Sequence, residues 1–188
     1  MRRSKAETAE SRRQILEQAA GLFRERGPER VSVADVMEAA GMTHGGFYKH
    51  FSSKEALFAA AIETAFAERL GHLAQLSSPD GVAGVRGYLG HYLTLGHVES
   101  LARGCPIAGL AMDAERMSSE VKSAMSEGAS SLLDRFSTAL GDDAAAIRAL
   151  TSAIGAIVLA RAVDHEATQR RILDVAISSN KEVLKLSS

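Results

Sequence analysis

Apolar residues recur at helical spacing along the chain, and no strand-like alternation appears from Ser11 to Pro79. From about Ser11 to Arg26, Ile15, Ala19, Leu22 and Phe23 mark one helix face, and Gly27-Pro28 stops the run. Ser32, with Asp35 three residues on, has the pattern of a capping box and opens a short helix through Ala40. Gly41 ends that helix, Met42-Thr43 make a tight turn, and a second short helix runs from about His44 to His50 with Thr43 as its N-cap. Ser53 then caps a long helix whose face carries Leu57, Ala61, Ile62, Ala65, Phe66, Leu70 and Leu73, fading at Ser77-Ser78-Pro79.

Helices continue in the second half. One is expected over about Gly81 to Leu95, followed by a broken region around Gly96, Gly104, Cys105 and Pro106, with a further helix after Pro106. Val121, Met125, Ala129, Leu132, Phe136 and Leu140 mark a long amphipathic helix that Gly141 ends, and Asp142 or Asp143 caps the next. That helix, Ala144 to Val163, is apolar nearly all round in its middle and must be covered on more than one side. The last runs from about Glu166 to Leu184. The chain is therefore expected to be all-α, with about nine helices and no flexible linker between its halves.

The 188 residues carry a net charge of −1, but the charge is unevenly placed. Arg2, Arg3, Lys5, Arg12 and Arg13 crowd the start, against Glu7 and Glu10. Through residue 58 there are ten basic and eight acidic residues, and beyond it twelve and fifteen. A basic arm on a near-neutral body suits a polyanion bound at one end. The single cysteine, Cys105, excludes an internal disulfide and a thiolate zinc cluster. His72, His91 and His97 form no i, i+4 pair of the kind a helical zinc site uses, so no metal and no cofactor is expected. The charged start has no apolar stretch of a signal peptide, and the most apolar run, Ala153 to Ala160, falls short of the ~20 residues a bilayer needs. The expectation is a cytoplasmic protein without membrane partners.

Two short helices joined through Gly41 and a tight turn make a helix-turn-helix pattern, in which the second helix enters the major groove while the first braces it. In Thr43-His44-Gly45-Gly46-Phe47-Tyr48-Lys49-His50-Phe51 the glycines let backbone approach phosphate. Thr43, His44 and Lys49 offer donors, Tyr48 a hydroxyl, and Phe47 and Phe51 anchor the helix inward.

Residues 12 to 57 resemble the N-terminal domain of tetracycline-repressor (TetR) family regulators. The matching positions are Arg12, Ile15, Leu16, Ala19, Ala20, Leu22, Phe23 and Gly27, then Ser32, Val33, Val36, Ala39, Ala40 and Gly41. Gly45, Phe47, Tyr48, His50, Phe51, Ser53, Lys54, Glu55 and Leu57 follow. The resemblance implies a DNA-binding domain over residues 1–52, and a ligand-binding and dimerisation domain over 53–188. It implies double-stranded operator DNA, a small-molecule effector and a second copy of the chain as partners. Thr43, His44 and Gly45 would lie at the groove, although relatives often hold a longer donor at the position of His44. Tyr48 and His50 would meet the phosphate backbone, and Lys54 would add its charge to a helix N-terminus at a phosphate. Ser32 and Lys49 complete the expected DNA-binding set.

Within that architecture a mostly apolar pocket is expected among Phe66, Leu70, Tyr88, His91, Tyr92, Cys105, Ile107, Leu110, Met125 and Phe136. The two last helices are expected to pair with their twins through Ile154, Ile157 and Val158 and through Ile172, Ala176 and Val183. Gly81, Gly84, Gly87 and Gly90 repeat every three residues, which admits either close approach of a helix or ligand, or ordinary packing. Cys105 is either an inert buried thiol or a sensor favoured by Arg103 and the following helix N-terminus. Segment 104–125 also resembles a branch of the family with a Gly-Cys here, reactive-electrophile sensors among them. An enzyme built on a Cys105 dyad with His91 or His97, and a helical scaffold without DNA, are the competing classes. No nucleophile elbow or phosphate loop supports the first, and the helix-turn-helix match opposes both.

Overall fold

The computed structural model describes residues 5–76 and 81–186; Arg2, Arg3 and Ser77-Ser78-Pro79 lie outside the described residues. The described residues form nine α-helices and one 3-10 helix. They are α1 (Lys5–Arg26), α2 (Val33–Ala39), the 3-10 helix (His44–Lys49), α3 (Lys54–Leu76), α4 (Gly81–Tyr92) and α5 (Leu95–Glu99). The remainder are α6 (Pro106–Glu115), α7 (Ser119–Leu140), α8 (Asp143–Arg161) and α9 (Glu166–Leu186).

The expected start and stop signals act largely as written. The Ser32 hydroxyl accepts from Asp35 N at 3.1 Å while the Asp35 carboxylate accepts from Ser32 N at 2.7 Å, closing the capping box. Gly41 takes φ +68°, a left-handed conformation that turns the chain between α2 and the 3-10 helix. Ser53 caps α3 through Ala56 N at 3.0 Å, and Asp142 caps α8 through Ala145 N at 3.0 Å.

Three boundaries differ from expectation. The first helix begins by Lys5 rather than near Ser11. The helix expected over Gly81 to Leu95 ends at Tyr92, and Thr94 caps a separate one-turn helix by accepting from His97 N. The second helix of the helix-turn-helix is 3-10 rather than α. Gly45 and Gly46 give it poor α-propensity, and Thr43 occupies the N-cap without making a side-chain cap bond.

Two clusters of buried side chains run through the molecule. One joins Ile15, Phe23, Val36, Phe47, Leu57, Phe58 and Ile62 to Phe66, Leu110, Val121 and Met125. The other joins Tyr88, Tyr92, Cys105, Leu132, Phe136 and Ile157 to Leu173, Ala176 and Leu184. The first cluster passes from α1 into α3, α6 and α7, so the chain does not change cores at residues 52 and 53. Helix α8 is long and apolar enough, by length and composition, to cross a membrane, whereas Ala153 to Ala160 alone is not. Its inner face instead packs on α9 and α7 through Ala149, Ala153, Ile157 and Ala160.

The α4 glycines are not one close-approach stripe. A Cβ at Gly81 would collide with the Ala139 carbonyl, whereas Gly87 and Gly90 face open space. The tightest helix crossing of this kind lies at Gly128, where a Cβ would overlap the buried Phe66 ring. Gly87→Ala is expected to stabilise the protein by about 0.5–1 kcal/mol through helix propensity. Gly128→Ala, facing an overpacking cost of about 1–3 kcal/mol, is expected to be net destabilising. Chemical denaturation of both variants measures the opposite signs; equal effects would show that Phe66 yields at little cost.

Candidate functional site

The helix-turn-helix presents a flat polar face built over an apolar anchor. Phe47 is fully buried and stacks on Phe51 at 5.8 Å, which fixes the rotation of the 3-10 helix. That rotation turns Thr43, His44, Gly45, Tyr48 and Lys49 outward, and Tyr48 is 70% exposed despite its large ring. Tyr48 meets the Phe47 ring edge-on at 5.1 Å, so its root is held while its hydroxyl stays free in solvent. Lys54, half-buried, stands at the start of α3 beside the Ser53 cap. Ser32 departs from its expected role: its hydroxyl donates to the Asp35 carboxylate while accepting from Asp35 N, so it holds α2 rather than offering a free donor. The same bonds hold the Asp35 carboxyl below its usual range.

Arg12 is a positioning group rather than part of a free basic arm. Its guanidinium donates to the His50 carbonyl at 2.6 Å and lies 4.2 Å over the Phe51 ring, tying α1 to the turn before α3. Arg13 is held by Glu10 and Glu17 on the same helix.

The ten residues expected to line one pocket separate into two groups. Tyr88, Tyr92, Cys105 and Phe136 share one core with Leu70 packed against it, and Ile107 packs against both cores. Phe66, Leu110 and Met125 belong to the other, and His91 is exposed. Helix α4 and the residue after it also contribute to a cleft of about 260 Å³ with α9, lined by Arg86, Leu89, Leu93, Ile177 and Asn180 among others. A cleft of about 200 Å³ lies between α3, α4 and α7, with Leu70 on its wall.

Between the cores, residues 97–105 are gripped by three arginines from three helices. Arg24 of α1 donates to the Gly104 carbonyl at 3.3 Å and pairs with Glu68 at 3.0 Å. Arg69 of α3 donates to the Arg103 carbonyl. Arg161 of α8 donates to the carbonyls of Val98 and His97, at 3.2 and 3.0 Å. The signal for Arg69 was present in the sequence: an arginine three residues after Phe66 and four before Leu73, inside an apolar stripe.

His97 closes this segment internally. Cys105 N donates to His97 Nε2 at 3.1 Å, so Nε2 carries no proton and Nδ1 donates to the Tyr92 carbonyl at 2.7 Å. Both ring nitrogens are thus committed to backbone. His97 is not a base for the Cys105 thiol, and exposed His91 is not positioned inside with it, so neither expected dyad forms. Among the described residues no group of three or more His, Cys, Asp or Glu side chains could hold a metal. Burial, reinforced by the charges of Arg69 and Arg161, pushes the His97 pKa down to about 4. The folded state therefore stays neutral at His97 while the unfolded chain takes up a proton near 6.5. This contribution to unfolding free energy is unchanged above pH 6.5 and falls steadily as pH drops from about 6.5 to 4. In His97→Gln, which can still accept from Cys105 N, urea midpoints are expected to fall less over that window than in wild type; parallel curves would assign the acid sensitivity elsewhere.

Comparison with known proteins adds to this geometry. Residues 15–61 match the family described as bacterial regulatory proteins, tetR family. The HTH-type transcriptional regulator TtgR of Pseudomonas putida is 40% identical over 80 residues, which span 43% of this chain and 38% of that protein. The reduced form of E. coli NemR aligns with a TM-score of 0.80, at 21% identity, over 93% of this chain and 97% of that one. AibR, solved with isovaleryl coenzyme A and operator DNA, aligns with a TM-score of 0.65, at 20% identity, over 90% and 97%. The sequence likeness is thus concentrated in the helix-turn-helix head, while the fold is shared along nearly the whole chain. Residues 15–61 thus match the tetR family of bacterial regulatory proteins, and nearly the whole chain shares the fold of the solved structures.

Proposed function

We propose that the protein is a dimeric, ligand-responsive transcriptional regulator, acting in the cytoplasm as a repressor that a small molecule releases from a palindromic operator. The observation that carries the DNA-binding reading is the 70% exposed Tyr48 on a 3-10 helix whose other side is locked by buried Phe47. An aromatic ring held in solvent, with Thr43, His44 and Lys49 beside it and Lys54 at the next helix start, is a surface suited to a groove and its phosphates. AibR, in complex with both isovaleryl coenzyme A and operator DNA, joins a small molecule and DNA on this fold, which supports a ligand-responsive reading here. Of the two triggers expected, a reversible ligand is favoured over modification of Cys105, because the thiol is 1% exposed.

Two copies are proposed to pair through α8 and α9, on a face one helical position away from the one the sequence suggested. Ile157 and Ala176 are buried within the subunit, and Ile154, Ile172 and Val183 pack partly against its core. Exposed Ile147, Val158 and Leu159 on α8 and Val175 on α9 are the apolar residues left for a partner. A twofold dimer would set its two heads about one DNA turn apart, ~34–36 Å or a multiple.

Tyr48→Ala and Lys54→Ala are expected to leave the fold intact and weaken binding to DNA from upstream of the gene. Lys54→Ala should also flatten the slope of log K against log salt by about 0.9. An unchanged slope with altered sequence preference would remove Lys54 from the phosphate contacts. Val158→Asp and Val175→Asp are expected to yield folded monomers, since a carboxylate buried without a partner at an interface costs several kcal/mol. Ile157→Asp, by contrast, should fail to fold. Sedimentation and circular dichroism separate the outcomes, and a fully dimeric Val175→Asp would put the interface elsewhere.

A further inference from the structure

Arg69 and Arg161 are inward-facing charges without an acid. Arg69 is 6% exposed, and its bond to the Arg103 carbonyl supplies no negative charge. Arg161, half-buried, donates to the carbonyls of His97 and Val98. Among the described residues neither guanidinium pairs with a carboxylate, in contrast to Arg24, which has Glu68. Burial lowers the Arg161 pKa, and the charge on Arg69 adds to the effect.

Tyr88 and Tyr92 face the same place, and each is 2% exposed. Neither hydroxyl completes a hydrogen bond of good geometry among the described residues, and the groups nearest to a partner are Arg69 for Tyr88 and the Cys105 thiol for Tyr92. Arg69 and Cys105 are charged and polar groups that act on both phenols. Burial pushes the Tyr88 pKa up to about 12 and raises that of Tyr92, so both are neutral O–H donors at physiological pH. The rings form an apolar wall: Tyr88 stacks on Tyr92 at 5.8 Å and meets the Phe136 ring edge-on at 5.5 Å.

We propose that this cluster is an anion site: the effector is a compact carboxylate held by Arg69 and the hydroxyls of Tyr88 and Tyr92, with Arg161 as a flanking positive charge and Phe136 against its apolar body. A carboxylate gives both hydroxyls a well-formed hydrogen bond and neutralises a buried charge at once. A cation is repelled there, and a neutral molecule leaves the guanidiniums uncompensated. The carboxylate also competes with the Arg103 carbonyl for Arg69, which loosens the bond between α3 and the 97–105 segment. The consequence at DNA rests on the regulatory reading above; the binding itself does not.

The test titrates the full chain with sodium benzoate and sodium hexanoate, with benzyl alcohol and benzylamine as neutral and cationic probes of similar size. Melting temperature and calorimetry follow binding, and a gel shift on DNA from upstream of the gene follows release. At least one carboxylate is expected to raise Tm and to bind tenfold or more tightly than the alcohol or the amine. Tyr92→Phe, which removes a hydroxyl without a well-formed hydrogen bond, should keep the ligand-free Tm and weaken the carboxylate about tenfold. Arg69→Met should abolish the preference in a chain that stays folded by circular dichroism, although it also gives up the bond to the Arg103 carbonyl. A lowered Tm with the preference intact would instead make Arg69 a structural residue and overturn the proposal. So would binding of neither carboxylate, or equal binding of the amine. A carboxylate that binds but leaves the DNA bound upholds the anion site and overturns its role as effector site. Release by the alcohol alone overturns the anion site and upholds ligand-responsive release.

Discussion

Three guanidiniums converge on the main-chain carbonyls of residues 97–105, and that grip brings α1, α3 and α8 to one segment. The segment runs from the last residues of the one-turn α5 to the start of α6, where the chain has no long helix to satisfy its backbone. Arg24 brings the head helix α1 to it, Arg69 brings α3, and Arg161 brings α8. Hydrogen bonds to charged donors are worth about 1.5–3 kcal/mol each, and losing one partner of a buried charge costs more than the bond returns. The segment is therefore held from three helices at once.

Rigidity is distributed unevenly around this junction. On the head, Arg12 ties α1 to the His50 carbonyl and the Phe51 ring, and Phe23 packs edge-on against Phe58 at 4.9 Å, so α1 is fixed to the start of α3 at two places. Farther along α3, Phe66 is wedged against Gly128 of α7. Between the head and the end of α6 the packing is looser: a cleft of about 430 Å³ is lined by Pro28, Lys54, Glu55, Asp113 and Met117, among others. Under the proposed function, α6, which starts after Cys105 and ends at this cleft, would be the route from the 97–105 segment to the DNA-facing surface. Coupling of ~1–3 kcal/mol is enough to change occupancy of an operator 5–150-fold.

The head was legible in the sequence because its signals are local. A capping box, a left-handed glycine and two phenylalanines four residues apart act within a few positions of each other, and the structure uses each as written. Ser32 shows the limit of such reading, since one hydroxyl cannot both lock the cap at Asp35 and remain a free donor. The faces of α8 were not legible for a different reason. In a helix apolar nearly all round, the hydrophobic pattern does not say which side meets its own core, and a rotation of one residue exchanges Ile157 for Val158. The ten pocket candidates failed to gather for a third reason. Phe66 and Tyr88 both sit on apolar stripes, but whether two stripes share a core depends on helix crossings that spacing does not encode.

The residues hardest to read were the arginines, and they are the ones that join the parts. An arginine within an apolar stripe looks like a tolerated surface residue whose stem covers carbon. What distinguishes Arg69 is the environment supplied by distant segments: the Arg103 carbonyl from beyond α5, and Tyr88 and Tyr92 from α4. Evolving a sensor on such a fold requires polar groups that the core tolerates but does not satisfy, because a fully satisfied interior has no differential affinity left for a ligand. Here the helix-turn-helix keeps its buried groups matched, whereas the interior beside Cys105 retains two hydroxyls without a well-formed hydrogen bond and a positive charge without an acid. Under the proposed function, that contrast separates a part of the molecule that holds one shape from a part that responds to a ligand.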